Sequence, residues 1–214
     1  KSYTEDRAVI RTRAQWTALI VFLVAIILFP FFFGNQYILS VIILTVITVI
    51  SLQGLNFILG FTGQISVGHS AFMAIGAYAT AILMTRLHFP FILSFPSAGL
   101  CAALVGMIFG LPSLRIKGFY LALATLAAQY LIHWYLLHGG NFTGHLFGLS
   151  VPRAGIGPFV LTSDRTYFLF AMFMLLLMSY FAKNIERSKI GRAFIAVRDN
   201  DLAAEIMGIN IFKY

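Results

Sequence analysis

Asn56, Thr62, Gln64, Ser66, His69 and Ser70 fall within one stretch, Gly54–Tyr78, together with five glycines and between two strongly apolar runs. Each of these six side chains carries an oxygen or nitrogen that needs a partner in apolar surroundings. In a bilayer such groups are tolerated where protein packing or a watery cavity takes them up. The chemistry this pattern suits is non-covalent: successive hydrogen bonds to a polar solute crossing an apolar medium. Gly60-Phe-Thr-Gly63 is expected to break a helix, because glycine adopts turn conformations without strain. Ser66, Ser70 and Ala74 recur every four residues, with Ala77 and Ala81 on an adjoining face, and small faces let helices approach closely. Tight packing alone accounts for the small residues as well as a path does. Asn56, Gln64 and His69 lean further towards a path, although a lone His69 equally suits a helix-to-helix hydrogen bond.

Other groups with chemical potential are sparser. Thr125 and Gln129 are four apart and share a helix face, where they either line a cavity or bond a neighbouring helix. Gly106-Met-Ile-Phe-Gly110 is a GxxxG match, expected as an internal packing contact. His133, Trp134, Tyr135 and His138 cluster near the end of an apolar run, where aromatic residues anchor a helix at the membrane interface. A membrane enzyme would have to use His133 with His138, a thin basis for an acid, base or metal site. The sequence holds no P-loop pattern, no His-Glu-x-x-His and no paired-cysteine metal pattern. No Asp or Glu interrupts the apolar runs to relay protons. Uphill transport by this chain would therefore draw its energy from another subunit. The single cysteine, Cys101, excludes an internal disulfide and reads as a small buried or lipid-facing residue.

The elements that must position these residues follow from composition. Of 214 residues, 60% are hydrophobic and 10% charged, against about 25% charged in a soluble domain. Windows of about 17–25 apolar residues give about six spans: Trp16–Phe33, Tyr37–Gly60, Ser66–Thr85, Phe91–Leu111, Phe119–Leu137 and Thr166–Ala182. The expected fold is all-α, a polytopic membrane protein forming a single transmembrane domain over residues 1–214. The first run follows a basic head but lacks a small-residue cleavage site, so it is read as a retained helix. With the N-terminus inside, only Arg86, Arg153 and Arg165 of the fifteen Lys and Arg lie in outer segments. The positive-inside tendency favours that orientation. It also explains the net charge of +8 without invoking nucleic acid.

The inner tail, residues 183–214, alternates charged and apolar residues. Asp199, Asn200 and Asp201 suit a helix N-cap, Ala203 to Met207 favour a short helix, and Gly208 suits its end. Such a helix either lies solvated at the surface or docks into a partner's groove.

Four stretches, in order, resemble the permease subunits of branched-chain amino-acid ABC transporters, in their larger permease type. They are Gly54–Tyr78, the basic turn Leu111–Leu126, the outer loop Asn141–Leu149 and the tail Ser188–Asn210. The resemblance covers roughly residues 38–214. It implies a pore in the bacterial or archaeal cytoplasmic membrane, built with a second permease subunit. Two ATP-binding cassette ATPase subunits would bind inside, and a soluble extracytoplasmic substrate-binding protein would deliver leucine, isoleucine or valine. ATP would be hydrolysed on the partners; the resemblance implies no cofactor on this chain and no enzymatic role. Arg192, Ala193, Arg198, Ala203, Ala204, Glu205 and Gly208 match the family's cytoplasmic coupling segment. The family continues into further spanning helices, so the sequence is expected to be incomplete at its C-terminus. His145 and Phe147 depart from the smaller, more polar residues expected in the outer loop. Similar permeases take urea, short amides or other small solutes. From the residues alone, a self-sufficient channel or secondary carrier stays open as an alternative.

Overall fold

Long apolar runs fold as helices because a helix satisfies its own backbone without water. The computed structural model describes residues 13–32, 35–110, 118–144, 148–156 and 159–210. In chain order the helices are α1 (Arg13–Phe32), α2 (Gln36–Asn56), α3 (His69–Thr85), α4 (Phe91–Gly110), α5 (Phe119–His138), α6 (Asp164–Arg187), α7 (Lys189–Asp199) and α8 (Asp201–Ile206). A π-helical turn, Phe57–Phe61, continues α2, and a two-residue antiparallel ladder pairs Gly155 with Val160 and Ile156 with Phe159 before α6. The chain is an all-α polytopic membrane protein with that small ladder in one connection.

Among the described residues, four helices are long and apolar enough to cross a bilayer: α2 with its π turn, α4, α5 and α6. Two others sit where spans are expected but are shorter in apolar length, Ile20–Phe32 within α1 and the whole of α3. At 17 residues, α3 is about 25 Å long, less than the roughly 30 Å of a hydrocarbon core. The expected third span started at Ser66; the helix starts at His69 because residues 63–68 stay non-helical. The sixth runs past the expected Ala182 to Arg187, where Lys183 and Glu186 pair at 2.8 Å one turn apart.

Packing joins α2 to α6, α1 to α6, α3 to α4 and α3 to α5. One core forms around Ile26, Leu39 and Phe168, with the Phe29 and Phe168 rings stacked at 5.8 Å. A second forms around Ala71, Ile132 and Leu136. Gln53 Nε2 donates to Ser179 Oγ at 2.7 Å, a polar link between α2 and α6. Gly106 of the GxxxG match faces α3, where an added Cβ would lie 3.8 Å from Phe72. Large outer side chains such as Leu44, Leu100 and Tyr130 are exposed, as a lipid-facing or subunit-facing surface requires. Cys101 is also exposed. Arg115, Lys117, His145, Phe147 and Lys213 lie outside the described residues.

Candidate functional site

The site begins where α2 loses its register. Thr62 N–H donates to Phe57 O at 3.2 Å, the π-helical pattern, and Gln64 N–H donates to Ile58 O at 3.1 Å. Thr62 Oγ1 folds back onto Ile58 O at 2.6 Å. The Asn56 side chain lies over Gly60, filling the space a Cβ would take. Gly63 then turns the chain with φ +69°, a conformation open to glycine at little cost. The following strand of backbone is held by α5. Val67 N–H donates to Thr125 Oγ1 at 3.1 Å, while that hydroxyl donates to Ala122 O at 2.9 Å. A Cβ on Gly68 would lie 2.6 Å from the Thr125 carbonyl oxygen, so only glycine fits that approach.

Beside this break lies a pocket of about 170 Å³. Gln64, Ser66 and Thr125 provide its polar atoms, and Ile58, Phe72 and Phe109 stand among its apolar walls. On α4 its lining comes from Gly106, Phe109 and Gly110, and on α5 from Leu121, Ala124, Thr125 and Ala128. The pocket therefore sits at the end of α4 and along the first half of α5. A cavity of about 150 Å³ accommodates a molecule the size of benzene, so this one has room for a small molecule.

Three of the eight sequence-derived path residues, Gln64, Ser66 and Thr125, thus meet at one pocket. Gln129 lies one turn beyond Thr125 with its Oε1 buried and no hydrogen-bond partner among the described residues. Asn56 and Ser70 are exposed. His69 Nε2 lies 2.8 Å from Ser51 O; a carbonyl only accepts, so the ring nitrogen donates and ties α3 to α2. The apolar walls Ile58, Phe72 and Phe109 carried no sequence signal, since they look like any other residue of a span. Gly106 and Gly110 of the GxxxG match, expected as a packing contact, also line the pocket. Away from it, His133 and His138 are exposed, and His138 stacks on Trp134 with Nδ1 3.0 Å from the Trp134 carbonyl. No group of three or more His, Cys, Asp or Glu that could hold a metal occurs among the described residues.

The tail forms two helices at the same end of the bundle, α7 packing against the π turn. Ser188 caps α7, its Oγ accepting from Ile190 and Gly191 N–H. Gly191 allows α7 to fold tightly onto the last carbonyls of α6, those of Ile185 and Glu186. Ala193 is buried at this junction while Arg192 is exposed. Asn200 caps α8 by accepting from Ala203 N–H at 3.0 Å. Gly208, with φ +85°, ends it: its N–H reaches Glu205 O at 2.9 Å and Ile209 N–H reaches Ala204 O at 3.0 Å, the Schellman pattern. Ala204 is buried, whereas Leu202, Ile206 and Met207 are 68%, 87% and 83% exposed. Ala203 and Glu205 also face outwards. The short capped helix was legible in the sequence, but α7 as a separate helix was not.

A family model described as branched-chain amino acid transport system / permease component matches residues 34–214. The chain is 32% identical over 223 residues to the high-affinity branched-chain amino acid transport system permease protein LivM of Escherichia coli (strain K12), an alignment covering 93% of this chain and 52% of that relative. It is 31% identical over 229 residues to the LivM protein of Salmonella typhimurium, covering 96% of this chain and 53% of the relative. The chain spans about half the length of the curated relatives it matches. No solved structure matches it.

Proposed function

The chain belongs to the family of branched-chain amino acid transport system permease components, and from that premise we propose that it forms the translocation path of an ATP-driven importer for leucine, isoleucine and valine. The observation that carries this reading is the pocket beside the broken helix, where Gln64, Ser66 and Thr125 face an otherwise apolar wall. Broken helices recur where transporters build solute sites, and here the break lies towards one end of the bundle. Asn56, Thr62, Ser70 and Gln129 are proposed as further path residues, while His69, bonded to Ser51 O, holds α3 against α2 beside them. The apolar wall suits an aliphatic side chain, and Gln64, Ser66 and Thr125 are the side chains left to meet a solute's polar end.

In this reading the chain is a non-catalytic subunit and binds no cofactor of its own. It crosses the cytoplasmic membrane as a single domain of about six spans, with its N-terminus inside. A second permease completes the pore, and an extracytoplasmic binding protein delivers substrate. Two ATPase subunits engage the segment 183–214. Arg192, Ala193, Arg198, Ala203, Ala204, Glu205 and Gly208 set or hold the helix that enters their groove. The exposed Leu202, Ile206 and Met207 give α8 the apolar face that helix-in-groove docking uses. Closure of the ATPases on ATP would then tilt the bundle between outward-open and inward-open states.

Co-purification tests the partnership. Gly208→Trp and Glu205→Arg should each reduce recovery of a P-loop ATPase with the membrane-inserted protein by tenfold or more, an effect of about 1.4 kcal/mol at least. Undiminished recovery with both variants would remove the coupling role and favour a self-sufficient channel or carrier.

A further inference from the structure

We propose that Arg198 is a positioning residue that transmits movement of α7 and α8 to the pocket wall. This inference rests on the permease reading above. Three contacts carry it. Arg198 Nη1 donates to Gly60 O at 2.9 Å, across 138 residues of sequence. The Arg198 side chain also fills the space beside Gly63, where an added Cβ would lie 2.7 Å from its Cγ. Its Nε and Nη2 grip Asp199 Oδ1 at 3.1 and 3.0 Å.

The local backbone explains why this position is available. In an uninterrupted helix the Gln64 N–H would bond Gly60 O. Here it goes to Ile58 O instead, leaving the Gly60 carbonyl to a side-chain donor. A guanidinium suits that role because its planar fork addresses two acceptors at once. On one side the fork holds the π turn that continues α2. On the other it holds Asp199, the final residue of α7, next to the Asn200 cap of α8. Gln64 and Ser66, the polar wall of the pocket, follow Gly63 by one and three residues. Displacing the α7–α8 junction therefore pulls on the turn that aims them. The family resemblance implies a place for Arg198 in the coupling segment, and its contacts with Gly60 and Gly63 lie at the other end.

A thiol reporter in the pocket reads this directly. Ser66→Cys is introduced with Cys101→Ser in the assembled transporter in vesicles, and its alkylation by a small maleimide is timed with and without ATP. ATP should change the rate in this parent. Arg198→Ala should shrink that change about three- to tenfold, the scale of one ordinary net hydrogen bond, because the charge is screened at a partly exposed site. Arg198→Lys should restore part of it, because one ammonium cannot span both acceptors. Gly63→Ala should disturb alkylation less in the Arg198→Ala background than alone, since the clash with Arg198 is then gone. An unaltered ATP response in Arg198→Ala, with the parent responding, would overturn the role of Arg198 and leave the permease reading standing. A parent that assembles with ATPases but shows no ATP response would overturn the lever. A parent that captures no ATPase would overturn the reading and the lever together.

Discussion

Thr125 does more than line a cavity. Its hydroxyl accepts from Val67 N–H and donates to Ala122 O, so one side chain pins the non-helical entry of α3 to α5. Thr125→Val should remove the Val67 N–H bond at this exposed site and cost about 0.5–1.5 kcal/mol, read as a lowered melting temperature of the detergent-purified protein. Thr125→Ser should recover most of the loss, because it keeps the acceptor; equal melting of both variants would contradict the pin. At this scale the sequence announced which residues were polar but not what they would bond. A four-residue spacing placed Thr125 and Gln129 on one face, yet periodicity cannot distinguish a partner on the neighbouring segment from an open cavity. His69 followed the plainer of its two readings, a link between helices, because the Ser51 carbonyl lies 2.8 Å away. Gly68 needed the approach of α5 to be understood, and no local pattern encodes that approach.

Among the elements, the junction of α6 and α7 sets the direction in which the tail leaves the bundle. Gly191 sits against the terminal carbonyls of α6, with no room for a Cβ. Gly191→Val should force the two helices apart at an overpacking cost of about 1–3 kcal/mol. Faster tryptic cleavage around α7, with the apolar spans still protected, would report the separation; unchanged cleavage would show that the close turn is dispensable. The caps of α8 were legible because Asn200 and Gly208 act through local chemistry, a side-chain acceptor at one end and a left-handed turn at the other. The break after α2 was legible for the same reason, from Gly60 and Gly63. Its mechanism was not. A π turn is a register shift of backbone hydrogen bonds, and Phe57–Phe61 carry no residue type that specifies one. The lower boundary of α6 was missed because Lys183 to Arg187 end the apolar run, although their charges support a helix leaving the membrane.

Across the whole molecule, hydrophobic run length recovered the order of the long helices, since a span must be apolar over a fixed thickness. Pairing was not recoverable: the packing of α2 with α6 and α3 with α4 depends on faces that are apolar all round and so carry little directional pattern. The location of the pocket follows from that pairing, which is why Phe72 on α3 and Phe109 on α4 could not be foreseen as neighbours. The arrangement also brings the broken helix, the pocket and the tail helices to one end of the bundle. A subunit that borrows its motive force from ATPases would need that proximity. Uptake into proteoliposomes tests the borrowing most directly. Radiolabelled leucine, offered with its binding protein, should accumulate against a gradient only when the second permease, the ATPase subunits and ATP on their side are all present. Accumulation by this permease with the ATPases left out would contradict the account.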